Sequence, residues 1–228
     1  MKTKQSGFTL IEIAIVLVII GLLLGGVLKG QELINSAKVK NLATDFKNIP
    51  VFIYGYQDKF KALPGDDKLA TTHVGSTATN GNGNGIIEGN WNDPVSANSE
   101  AVNFWQQVRL AGLAPGPTSL TDANYIPTNA SGGKIGVQSG TMNTSGTFVS
   151  PMKDKNGNTI RGSYVICSDG ILGKFVQQLD TQMDDGNIGT GSMLATKSTV
   201  TVGTTATADD PATTPIDDAA PYTVCMGV

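Results

Sequence analysis

Residues 6–24 read SGFTLIEIAIVLVIIGLLL, and this run limits what the chain can fold into more than any other feature. From Phe8 to Leu28, 21 residues, Glu12 is the single charge. At about 1.5 Å per residue a helix of this length covers roughly 31 Å, the thickness of one bilayer core. The segment is therefore expected to span a membrane. Lys2 and Lys4 precede it, which predicts a cytoplasmic N-terminal end and places the remaining roughly two hundred residues outside. A carboxylate at the bilayer centre costs about 2.5 to 3.5 kcal/mol, so an acid there calls for a functional explanation and a partner.

An ordinary secretory signal has a shorter apolar region that ends in a small-residue cleavage site. Here the small residue, Gly7, comes before the apolar run. Cleavage between Gly7 and Phe8 would remove the leader MKTKQSG, keep the whole helix, and create a free amine on Phe8, four residues before Glu12. An amine and a carboxylate from neighbouring subunits can neutralise one another where water is absent, and a buried charge is tolerable mainly when paired. Glu12 then docks one helix beside another in register. The other reading of these residues alone is an ordinary anchor that carries an acid by chance.

Lys4, Gly7, Phe8, Thr9, Leu10, Ile11 and Glu12 form the pattern KxxGFTLIE, followed by an unbroken apolar run. At these residues the chain resembles the type IV pilin and pseudopilin superfamily. The resemblance implies cleavage after Gly7 by a prepilin peptidase, N-methylation of Phe8, and a role for Glu12 in subunit assembly. The short leader and the phenylalanine look like the type IVa kind of prepilin.

Beyond the membrane segment, Val39, Leu42, Phe46, Ile49, Ile53, Tyr56 and Phe60 alternate by three and four. This spacing predicts one amphipathic helix continuing to about Lys61, with Lys38, Lys40, Asp45 and Lys47 facing elsewhere. Pro50 removes one backbone bond and is expected to bend it. Gly21, Gly25, Gly26 and Gly30 either mark a stretch that melts, as the corresponding region can in filaments of the superfamily, or permit close helix packing. ALPGDD, residues 62–67, stops the helix. Residues 54–67, YGYQDKFKALPGDD, resemble a recurrent segment of large-headed pilin-like proteins. The organisation expected is a leader at 1–7, a membrane and assembly half-helix at 8–30, an amphipathic half at 31–62, and a head at 63–228.

With 28 glycines and only 15% charged residues, the head should be loop-rich with β structure. SEAVNFWQQVRLAGL, residues 99–113, reads as a helix that Ser99 can cap, with Glu100 in its first turn and Val102, Trp105, Val108 and Leu113 on one side. Trp105 reads as a core aromatic. A second helix is expected over 175–187, and its terminal Asp184 and Asp185 as solvated acids. Short strands are expected at Lys134–Val137, Thr147–Val149, Ser163–Cys167, Met193–Ala195 and Tyr222–Met226, between glycine and asparagine turns. The fold class expected is α+β, with a long N-terminal helix packed on an antiparallel sheet, pilin-like by resemblance. Residues 197–220, rich in Thr, Ala and Asp, read as a mobile surface loop.

Cys167 and Cys225 lack CxxC spacing and a histidine cluster. A disulfide is the economical reading, two separate buried thiols the other. The bridge requires an oxidising compartment. Closing a loop of nearly sixty residues stabilises by about 4 kcal/mol in the chain-entropy model. Many type IV pilins have such a loop near the C-terminus.

Asn80, Asn82, Asn84, Gly85, Ile87 and Glu88 match part of an EF-hand-type calcium loop, but amides replace carboxylates and Trp91 occupies the twelfth position. The expectation is a turn loop, with Asn80, Asn82, Asn84 and Glu88 as a weak calcium set and no other cofactor. His73 is the only histidine. No nucleophile, metal or nucleotide fingerprint occurs, and nothing pairs Asp66, Asp67, Glu88, Asp184 or Asp185, so no enzyme is expected. A formal charge of −3 offers no basic footprint for nucleic acid. The function expected is a structural filament subunit, a major or minor pilin. The partners are other pilin-like subunits, the prepilin peptidase and the inner membrane. Its head would lie in the periplasm until the filament grows. A pseudopilin of a type II secretion system and a binding module on an uncleaved anchor are the alternatives.

Overall fold

The computed structural model describes residues 9–140, 150–197 and 199–228. The chain forms two compact units, Met1–Lys38 and Val39–Val228. Helix α1, Leu10–Phe60, is continuous through Gly21, Gly25, Gly26, Gly30 and Pro50. In the first unit, every large apolar side chain that the structure describes from Leu10 to Ile34 is exposed. A Cβ added at any of the four glycines there would meet nothing within 4 Å.

In the second unit the helical stripe is the floor of the core. Val39, Leu42, Phe46, Ile49, Ile53 and Tyr56 are buried, and Phe60 is partly so. The chain turns at Lys61, the first residue past the helix, which adopts a left-handed φ of 56°. After the short helix α2 (Ala70–His73) comes α3 (Glu100–Leu110). Strands β1 (Ile135–Ser139), β2 (Met152–Lys153) and β3 (Tyr164–Leu172) lead to α4 (Gly173–Met183), followed by β4 (Met193–Thr196), β5 (Ala206–Thr207) and β6 (Pro221–Gly227). The expected strand at Thr147–Val149 lies outside the described residues.

β1, β3, β6 and β4 form an antiparallel sheet in the order β1-β3-β6-β4. Its side chains alternate between two cores, as the two-residue period of a strand requires. Ile166, Ile171, Met193, Ala195, Tyr222 and Val224 face the core shared with α1, α3 and α4. Val165, Cys167, Leu194 and Cys225 face a second core closed by Trp91, Met152, Ile160, Val200 and Ala208. Because the strands are apolar on both faces, both need a cover.

That need corrects the reading of residues 197–220 as a mobile loop. Their described part holds Val200 and Ala208 in the second core, and β5 pairs in parallel with β2. Backbone bonds from Ala208 to Lys153 and from Asp209 to Ala195 hold the segment on the sheet. Gly136 on β1 allows the loop above to come close, because a Cβ there would run into the Trp91 carbonyl.

Ser99 occupies the N-cap position of α3, but its hydroxyl caps nothing and is buried without a partner. It packs against Gly89 beside the Asp93 carboxylate, and the Ala101 N–H goes to the Glu88 carbonyl instead.

Candidate assembly site

Thr9 and Glu12 form a capping box at the start of α1. The Thr9 N–H donates to Glu12 Oε2 at 2.8 Å and the Thr9 hydroxyl to the same oxygen at 2.7 Å. The Glu12 N–H in turn reaches Thr9 Oγ1 at 3.4 Å. Two donors at the exposed end of an apolar helix are thus satisfied by the acid that the sequence leaves unexplained. Glu12 Oε1 has no hydrogen-bond partner among the described residues, so it remains an acceptor for an amine from outside the subunit. Gly7 and Phe8 lie outside the described residues. Around Glu12 the helix is apolar and none of its most apolar window is buried, as for a segment meant for lipid or for other helices.

A second set of polar residues, missed as a group by sequence reasoning, frames the head. Asp66 Oδ1 accepts the N–H groups of Gly83 and Asn84 at 2.6 and 3.0 Å, and its Oδ2 accepts that of Gly85 at 2.7 Å. The Glu100 carboxylate accepts from Asn82 and Glu88 N–H. Burial raises the Glu100 pKa, with the Asp66 and Glu88 charges adding to it, against those two hydrogen bonds. Loop 82–88 therefore wraps around two buried acids.

This wrapping decides what the loop offers a cation. Asn82 Oδ1 and Asn84 Oδ1 accept N–H groups two residues on, and both amide nitrogens point at Glu88, at 3.0 and 3.1 Å. Asn80 Oδ1 accepts the Thr71 N–H. Donors, not oxygens, surround the Glu88 carboxylate, and Trp91 is buried in the second core. Among the described residues, Asn80, Asn82, Asn84 and Glu88 do not converge as an oxygen cage of the kind calcium takes.

Asp67 is also brought into a pairing that its spacing does not announce. Its Oδ2 lies 2.7 Å from both the Tyr56 hydroxyl and His73 Nδ1, and its Oδ1 accepts the Leu69 N–H. Burial, reinforced by this carboxylate, raises the Tyr56 pKa far above its usual value. The triplet ties α1 to the turn that follows it. Asp184 accepts the Ser192 and Met193 N–H groups, and Asp185 those of Asn187 and the Thr190 hydroxyl. Both acids hold a turn.

α3 is buried on nearly every side, and its polar side chains act as internal connectors. Gln107 holds Gly65 and Thr79, and Gln106 holds Thr77, Thr79 and Thr118. Arg109 is 7% exposed. It donates from Nε to the Pro115 carbonyl and from Nη1 to the carbonyls of Pro117 and Tyr125, at 3.1, 2.9 and 2.7 Å. Its guanidinium also lies over the Trp105 and Tyr125 rings. Lysine has no planar fork to span these acceptors. Arg109→Lys should therefore destabilise the head by about 2 kcal/mol and lower Tm by about 5 °C. A thermal melt that shifts by less than about 1 °C would contradict the assignment.

Residues 2–28 match the sequence model of the prokaryotic N-terminal methylation motif. The chain carries the prepilin signature of type IV pilins and pseudopilins. No curated protein matches the chain. A prepilin signature implies processing by prepilin peptidase, membrane anchoring through the apolar helix, and assembly with other pilin-like subunits. Proteins with this signature are usually structural, not enzymatic.

Proposed function

We propose that the chain is a structural subunit of a type IV pilus-like filament. It would be cleaved between Gly7 and Phe8, N-methylated on Phe8, and packed through its N-terminal helix. Before assembly it would sit in the inner membrane with the head in the periplasm. The observation that carries this reading is the methylation motif at residues 2–28 running into a helical segment, residues 10–34, whose described large apolar side chains are all exposed. Glu12 adds a further reason, since one of its oxygens is used to cap the helix and the other is open. Moving such a helix from lipid to a bundle of like helices gains no apolar burial by itself, so packing and the pairing of Glu12 must favour the filament. The reading calls for no cofactor and no catalytic residue.

The Cys167–Cys225 bridge favours a pilus subunit over a type II secretion pseudopilin, because the superfamily's pili commonly carry such a loop. The test separates the stages. Glu12→Ala should leave membrane insertion and removal of residues 1–7 intact, measured by intact mass of the membrane fraction. It should cut the amount in sheared filaments at least about tenfold, as the loss of one charge pairing of about 1.4 kcal/mol or more per contact predicts. Normal filament yield would sink the pairing role. An intact Met1 in the wild-type protein would overturn processing and favour the tethered module.

A further inference from the structure

The head carries two surfaces of opposite charge, each with charged groups that form no ion pair among the described residues. One lies on α1, opposite its buried stripe, where Lys40, Thr44, Lys47, Val51 and Tyr54 follow the same three-and-four spacing and are all exposed. Val51 is 64% and Tyr54 58% exposed. The ammonium groups of Lys40 and Lys47 form no ion pair among the described residues. The stripe thus has a cationic N-terminal part and an apolar C-terminal end.

The other surface is DDPATTPIDD, residues 209–218. Asp210 and Asp217 are each paired with a lysine, Lys155 at 3.2 Å and Lys197 at 2.8 Å. Asp209 is held by Thr196 and the Lys197 N–H, whereas the exposed Asp218 carboxylate has no partner among the described residues. Four acids against Lys155 and Lys197 leave −2 on the loop, and Lys174, which lines the groove beside Asp218, brings the surface to −1. Pro211, Pro215 and Ile216, together with Lys174, Gln177, Gln178 and Thr181 of α4, line a groove of about 820 Å³, so the apolar part of this surface is supplied by the loop itself.

We propose that the Lys40–Tyr54 stripe of one copy docks on the 209–218 loop and its groove in a second copy. Val51 and Tyr54 would meet the prolines and Ile216, and Lys40 and Lys47 would meet Asp218 and its neighbours. The inference rests on the filament reading. A contact between two different patches of one chain is heterologous, so it repeats head to tail and builds an open helix instead of closing into a dimer. Charge complementarity fixes register and excludes wrong partners more than it adds affinity. The same charges would disfavour a contact between two copies of the stripe.

The test replaces Tyr54 with p-benzoylphenylalanine in the full chain, expressed in its native host, and irradiates the filaments. The expected product is a dimer of this chain whose cross-linked peptide contains residues 209–218. Lys40→Glu with Lys47→Glu should lower its yield about tenfold, and adding Asp218→Lys should restore at least part of that loss. Cross-links to another segment of a second copy, or to a different protein, would overturn the docking proposal while filaments still form. So would an unchanged yield in the Lys40→Glu, Lys47→Glu variant. Loss of filaments together with retention of residues 1–7 in the wild-type chain would instead mark failure of the filament reading.

Discussion

Replacing both Cys167 and Cys225 with alanine should lower the unfolding free energy of the head by about 4 kcal/mol, the largest single loss expected from any conservative change. The bridge joins residues 58 apart and pairs β3 with β6, two neighbouring strands already in register at this position. It constrains the unfolded chain by closing that loop, and both side chains are fully buried in the second core. For a head of this size the loss corresponds to a fall in Tm of roughly 8 to 16 °C. Thermal melts of the full chain in detergent, with and without reductant, check it. Reduction of the wild type and the double substitution should give similar melts. A shift of under about 2 °C in both would show that the sheet, not the bridge, holds β6 in place.

How far the sequence leads depends on the periodicity of each element. The stripe from Val39 to Phe60 was legible because α1 is covered on one side only, so its apolar residues recur at the helical period. α3 shows the opposite case. Buried almost all round, it has no clean stripe, and Gln106, Gln107 and Arg109 look like surface residues until their hydrogen-bond partners, dozens of residues away in the case of Gly65, are brought to them. Glu100, Asn103 and Gln107 fall at i, i+3 and i+7 and read as a polar face, so nothing local signalled their burial. The second core was missed for a related reason. Val200 and Ala208 are isolated apolar residues in a polar segment, and only the two-sided burial of β3, β4 and β6 makes them a cover. Of the assembly site, the acid and its motif were visible, but the capping box was not recognised, although Thr9 and Glu12 have its spacing. Asp66 and Asp67 read as a helix stop, whereas they anchor a loop and a helix through contacts that local spacing cannot encode.

Asp180→Asn should stabilise the head at pH 8 and lose that advantage at pH 4. Asp180 lies on the inner side of α4, is 1% exposed, and neither carboxylate oxygen has a hydrogen-bond partner. Burial pushes its pKa up from 3.8 to about 7, helped by the charges of Asp185 and Asp184 and opposed by the nearby N–H groups of Gly186 and Asn187. The folded chain therefore holds a proton there that the unfolded chain releases. Below pH 3.8 both states are protonated and the group costs nothing by ionisation. As pH rises toward about 7, stability falls, and above that value the full penalty of about 4 kcal/mol remains. An amide of the same shape cannot ionise, but burying its extra donor without a partner costs about 1 to 3 kcal/mol. The net gain at pH 8 is then about 1 to 3 kcal/mol, and at pH 4 the variant should be no more stable than the wild type. The decisive measurement is the difference between the two pH profiles of unfolding free energy, which cancels every other titrating group. Parallel profiles between pH 4 and pH 8 would mean that Asp180 finds a partner in solution and is ionised throughout. A difference that changes by about 4 kcal/mol as the pH falls, from favouring the amide to favouring the acid, would place the proton on Asp180.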